Sequence, residues 1–141
     1  MSEDFCREII KKLKNKKLTH PVYIIQEHNA KKAGKHYDLR LEFNNGLVSW
    51  ALRKEPPKKI NLKRLAVLTT VHNISYALFQ GTIPEGNPGA GTVKTWDNGT
   101  FELIDKKPKK IIINIKGKKL KGNYCLINFM DKNWLFFRKK D

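Results

Sequence analysis

Cysteine is scarce in this chain: Cys6 and Cys125 are the two in 141 residues. They stand apart without CxxC spacing, which excludes a disulfide scaffold and a cysteine-rich zinc site and leaves two reduced thiols. No apolar run approaches the roughly 18 residues of a spanning helix. The opening "MSEDFCREIIKKLKNKK" starts acidic, builds no apolar export core and carries no acylation motif, so the expected location is cytoplasmic with no membrane partner. Acidic residues are few as well: 13 Asp and Glu face 29 Lys and Arg, a formal net charge of +16. A polyanion is the natural partner of such a surface, because each phosphate neutralised releases condensed counterions.

What is present is enough for one folded domain. Apolar residues make up 40% of the chain, so its charge does not imply disorder. Residues 4–16 place Phe5, Ile9, Ile10 and Leu13 near helical spacing, which predicts a short helix or basic arm over 1–20. From residue 21 to 141 the period is two. Strands are expected at 22–26, 36–43, 47–53, 65–71, 91–96, 100–104, 110–115, 124–130 and 134–139, with turns at Asn44-Asn45-Gly46, Asp97-Asn98-Gly99 and Asp131-Lys132-Asn133. This is an all-β, mainly antiparallel barrel or sandwich, with Trp50, Trp96, Trp134, Phe136 and Phe137 expected in its core. Two loops interrupt it, "NAKKAGK" (29–35) and "GTIPEGNPGAG" (81–91). The second matches neither a P-loop nor a dinucleotide fingerprint and is given no phosphate-cradling role.

Histidine is rare too, with four in the chain. His20, before Pro21, reads as incidental. In "HYDLRLEF" (36–43) strict alternation puts His36, Asp38, Arg40 and Glu42 on one face of a strand and Tyr37, Leu39, Leu41 and Phe43 on the other. The plain reading of the polar face is contact with solvent. The chemical reading is that His36 and Asp38 close on one ion, with Arg40 a step beyond and His28 completing the set if loop 29–35 folds back. Two imidazoles and a carboxylate with open positions suit Mn²⁺, Fe²⁺ or Zn²⁺. Lys54 and Arg64, flanking "EPPKK", are candidate phosphate contacts. His72 and Tyr76 are a candidate proton donor and phosphate-binding hydroxyl, or a polar pair beside the core.

The stretches "YIIQEHNAKKAGKHYDLRLEFNNGLVSWALRKEPP", "KRLAVLTTVHNISYALFQGTIPEGNPGAGTVKTWDNGTFE" and "LKGNYCLINFMDKNWLFFRKKD" together resemble the 3′-phosphoesterase domain of bacterial and archaeal ligase D proteins. The resemblance covers roughly residues 21–141. It implies a compact, closed or nearly closed β-barrel of about eight strands. It also implies a Mn²⁺ site, with Zn²⁺, Co²⁺ or Cd²⁺ as substitutes, and trimming of DNA or RNA/DNA primer-template 3′ ends in non-homologous end joining. A terminal ribonucleoside is removed first, then the 3′-phosphate left behind. Carried across by position, the metal ligands fall on His28, His36 and Asp38, and the phosphate contacts on Lys54, Arg64, His72 and Tyr76. Arg40 lies beside the metal. His72, Arg40 and Tyr76 form the catalytic group. The protein is expected to be a monomer, using a separate ligase and polymerase in trans.

Two features depart from the family pattern. Seven residues separate His28 from His36, where family members have about five, and Thr70 stands where an acidic residue is common. Two other functions remain open at the level of sequence. One is a non-catalytic basic barrel that coats nucleic acid; the other is a metal-independent ribonuclease using His36 and His72 as acid and base.

Overall fold

In the computed structural model of the protein, which describes residues 21–140, nine strands follow one another: β1 (Val22–Ala30), β2 (Gly34–Phe43), β3 (Gly46–Leu52), β4 (Arg64–Asn73), β5 (Gly81–Ile83), β6 (Gly91–Lys107), β7 (Lys110–Gly117), β8 (Lys121–Met130) and β9 (Asn133–Arg138). The expected helix or arm over 1–20, with Cys6 and His20, lies outside the described residues. All pairings between these strands are antiparallel, in the order β1-β2-β3-β4-β9-β8-β7-β6, and a further β1–β6 pairing closes eight of them into a barrel. The short β5 adds to the first part of β6. Asn44 and Asn45 both take positive φ, 51° and 64°, as a two-residue turn matching the strand twist requires.

The barrel is filled by every second residue of its wall. Tyr23 and Ile25 from β1, Leu39, Leu41 and Phe43 from β2, Trp50 from β3, and Trp134 and Phe136 from β9 are all fully buried in one cluster. Phe137, expected in the core, has the opposite parity to Phe136. It is only partly buried, with the Lys63 ammonium 5.4 Å from its ring centroid.

The expected turn at Asp97-Asn98-Gly99 is not a turn. These residues lie inside β6, a strand of 17 residues, which bends at Trp96 because Ile25 pairs with Asp97 while Gln26 pairs with Thr95. Gly99 is demanded by close approach: a Cβ there would sit 2.1 Å from the Lys116 carbonyl oxygen. Asp97 turns inward instead, accepting the backbone N–H of Lys118, Lys119 and Leu120 and the Tyr23 hydroxyl. Burial works to raise its pKa, but these donors prevail and hold it below the usual carboxylate range.

The outer face of β1–β3 is covered rather than bare. A short 3-10 helix, Ile74–Leu78, follows β4 and is started by Asn73, whose side chain accepts the Ser75 N–H. Ala77 packs with Ile24 and Leu47 in a second apolar cluster on this face. Gln26, fully buried, donates through Nε2 to the carbonyls of Tyr76 (2.9 Å) and Phe79 (3.3 Å). The segment is thereby held against the wall of the barrel.

Candidate metal centre and phosphate site

On paired strands, side chains directly opposite one another share a face. His28 lies opposite His36, Gln26 opposite Asp38 and Ile24 opposite Arg40, and Arg40 lies opposite Ser49. The polar row of β2 thus meets His28 and Gln26 on one side and Ser49 on the other. It is also not solvated, since Asp38 is 6% and Arg40 4% exposed. The solvent reading of "HYDLRLEF" fails because the 3-10 segment and the two long loops cover that side.

Asp38 Oδ2 is the hub. It lies 3.3 Å from His36 Nε2, 3.6 Å from His28 Nδ1 and 3.3 Å from Arg40 Nη2. Each imidazole has its far nitrogen on a backbone carbonyl: His28 Nε2 on Gly89 at 2.7 Å and His36 Nδ1 on Gly34 at 3.3 Å. A carbonyl only accepts, so these nitrogens carry hydrogen. In the neutral rings the lone pairs of His28 Nδ1 and His36 Nε2 therefore face the carboxylate. One ligand atom from each of the three residues lies within 4.8 Å of the others. Three electron-rich atoms converging in this way need a cation or a proton between them. The donor set, with its orienting carbonyls, fits a transition divalent ion. The hydrogen bond to Asp38 raises the His36 pKa. Burial pushes the Asp38 pKa up, yet His36, Arg40 and His28 outweigh it and the net shift is down.

Arg40 is held at each of its three nitrogens, by Gln26 Oε1 (2.7 Å), Ser49 Oγ (2.8 Å) and Asp38 Oδ2. Its guanidinium carbon lies 4.9 Å from the Tyr76 ring centroid. Tyr76 in turn stacks between His72 and Phe79, with centroids 4.6 and 5.1 Å away. Burial, followed by the nearby Arg40 charge, lowers the His72 pKa to about 4, and burial raises that of Tyr76. Thr70 Oγ1 lies 3.3 Å from His72 Nε2. The hydroxyl thus contacts the histidine from the position where the family commonly has a carboxylate.

Six of the sequence-derived residues, His28, His36, Asp38, Arg40, His72 and Tyr76, therefore form one connected group. Lys54 and Arg64 do not join it. Lys54 is exposed two residues beyond Leu52, the partner of Tyr37, and Arg64 opens β4, where its Nε donates to the Glu55 carbonyl. Both sit at the His36 end of the wall. Sequence reasoning missed Gln26, Ser49 and Gly89. Gln26 and Ser49 lay in a stretch that carries the family resemblance but were given no role, whereas Gly89 lay in a loop already singled out for its glycines.

Gly89 has φ of +79°, and a Cβ on it would stand 3.2 Å from His28 Cε1. Gly89→Ala is accordingly expected to displace the carbonyl that orients His28 and to weaken ion binding by roughly 10–100-fold, with a stability loss of about 1–2 kcal/mol from the left-handed backbone. Isothermal titration with Mn²⁺ measures this. Unchanged affinity would show that the contact does not position His28.

Fold and site together define a small antiparallel barrel bearing a two-histidine, one-carboxylate cluster backed by a buried arginine. The DNA Ligase D 3′-phosphoesterase domain family matches residues 26–128. Among curated relatives, the multifunctional non-homologous end joining DNA repair protein LigD of Mycobacterium tuberculosis is 40% identical over 123 residues, covering 84% of this chain and 16% of that protein. The multifunctional non-homologous end joining protein LigD of Mycolicibacterium smegmatis is 42% identical over 130 residues (84% and 17%). Its Pseudomonas aeruginosa counterpart is 38% identical over 129 residues (84% and 15%). The chain belongs to the ligase D 3′-phosphoesterase domain family, and spans about one sixth of the length of these relatives. No helix among the described residues is long and apolar enough to cross a membrane.

Proposed function

We propose that the chain is a metal-dependent phosphoesterase that heals the 3′ ends of DNA or RNA/DNA primer strands in non-homologous end joining. It first removes a terminal ribonucleoside and then the 3′-phosphate that remains, working with a separate ligase and polymerase. The observation that carries this reading is the convergence of His28 Nδ1, His36 Nε2 and Asp38 Oδ2, with both far ring nitrogens already fixed by carbonyls. Mn²⁺ is the preferred ion, since imidazole ligands favour a softer cation than Mg²⁺, and when bound it supplies Lewis-acid charge to a phosphoryl oxygen.

The remaining work belongs to the chain. Arg40, engaged on all three nitrogens, positions Asp38 and supplies a fixed positive field more than it grips phosphate. His72, with its pKa near 4, is neutral at pH 7. A neutral imidazole donates a hydrogen bond to a phosphoryl oxygen in the transition state rather than delivering a stored proton. Tyr76 keeps its hydroxyl hydrogen and donates beside it. Lys54 and Arg64, at the His36 end of the wall, neutralise phosphate charge. In each step water oxygen joins phosphorus, the P–O bond to the leaving group breaks, and that oxygen is released protonated.

A labelled primer ending in one ribonucleotide tests the reading. Products should appear in order, first the 3′-phosphate and then the 3′-hydroxyl. Raising salt should weaken binding steeply and leave the position of cleavage unchanged, because general charge supplies affinity and the site reads the end. Cuts scattered along the strand would identify an endonuclease instead.

A further inference from the structure

A cavity of about 610 Å³ opens between the two long loops, lined by Ala30, Lys31 and Ala33 on one side and Glu85, Pro88 and Gly89 on the other. This is well within the size range of small-ligand sites, roughly 300–1,000 Å³. Two contacts clasp the loops together: the Lys31 N–H donates to the Ala90 carbonyl at 2.8 Å, and the Lys31 ammonium pairs with Glu85. Both side chains of that pair are exposed, whereas Ala30 is buried. The charged pair thus stands toward solvent, as do Ala33, Pro88 and Gly89, while Ala30 is buried and Ala90 half-buried. Glu85 answers the Lys31 charge and Lys32 adds a second, exposed cation to the lining, so the cavity suits a flat, uncharged group carried on a phosphate better than a free apolar one.

Its position gives that group an identity. Gly89 lines the cavity and its carbonyl holds His28 Nε2, while His28 Nδ1 faces Asp38. One imidazole ring therefore separates the cavity from the candidate ion site. We infer that the cavity receives the nucleoside on the leaving side of the scissile phosphodiester, its ring against Ala30, Ala33 and Pro88. This rests on the phosphoesterase reading and deepens it. The cavity would serve the diester step alone, because a 3′-phosphomonoester has no such nucleoside to place.

Three primers distinguish the possibilities: one ending in a ribonucleoside diester, one in a methyl phosphodiester and one in a 3′-phosphate. Ala33→Trp, at an exposed turn position, would fill the cavity without touching the His/Asp cluster. Fluorescence anisotropy in EDTA should show the unaltered protein binding the nucleoside-ended strand more tightly than the methyl-ended one, and the variant binding both alike. With Mn²⁺, Ala33→Trp should lower kcat/KM at least about tenfold for the nucleoside diester and leave the methyl diester and monoester unchanged. Equal losses on all three substrates, or no loss on any, would overturn the inference. Failure of the unaltered protein to turn over any of the three would overturn the phosphoesterase reading itself, and this inference with it.

Discussion

Asp38→Ala is expected to abolish both ion binding and 3′-end cleavage, with turnover falling by more than the roughly 100-fold typical of losing an outer partner of a metal ligand. Asp38 Oδ2 is the atom that His28, His36 and Arg40 share. Without it the two imidazoles retain their carbonyls but lose the charge that makes their convergence attractive to a cation. The fold should not escape entirely. The side chain is buried beside Arg40, so its removal is expected to cost about 1–3 kcal/mol by leaving a charged group short of a partner. Asp38→Asn keeps the volume and part of the hydrogen bonding, and should lose the ion with a smaller loss of stability. Metal analysis, thermal melting and a primer-cleavage assay on both variants separate the two effects. Retention of metal and activity by either would remove Asp38 from the site.

Leu39→Ala is expected to give the opposite profile. One residue along the same strand, Leu39 is fully buried between its cross-strand partners Ile25 and Trp50. Truncation leaves a cavity in a closed barrel whose wall cannot collapse freely. A loss of roughly 2–5 kcal/mol follows, read as a shifted denaturation midpoint at unchanged slope. Molecules that remain folded should bind one Mn²⁺ and turn over as before, because nothing on the outer face has moved. A drop in activity per folded molecule would mean that the core and outer faces of β2 are coupled more closely than their alternation suggests.

The contrast between adjacent residues shows what the sequence made legible. Period-two alternation in residues 36–43 assigned each side chain to its face; the strand and turn pattern gave an all-β barrel or sandwich, and the family resemblance narrowed it to a barrel of about eight strands. What alternation cannot report is what covers a face. The burial of Asp38 and Arg40 depends on Gln26 reaching the carbonyls of Tyr76 and Phe79, a contact across some fifty positions that leaves no local signal. Asp97-Asn98-Gly99 has the composition of a hairpin turn, yet Asp97 is spent on backbone groups at 118–120 and Gly99 on close packing against β7. The real reversal, where Lys107 pairs with Lys110, was hidden in a run of lysines around Pro108. The motif of the Gly-rich loop suggested no phosphate cradle, and the contribution the structure shows, one carbonyl aimed at His28, is a backbone property that side-chain patterns do not encode. The ribonuclease alternative also loses ground, since His36 is engaged by Asp38 and Gly34 while His72 stacks on Tyr76 and is held neutral.

The central claim is that the His28, His36 and Asp38 cluster makes this barrel a metal-dependent 3′-end phosphoesterase. It is tested most directly on protein stripped of metal, held in EDTA and assayed on a primer ending in a single ribonucleotide, before and after Mn²⁺ is restored in excess of the chelator. The account predicts no product in EDTA, recovery of the 3′-phosphate and then the 3′-hydroxyl with Mn²⁺, and poor recovery with Mg²⁺. Full turnover in EDTA would contradict it.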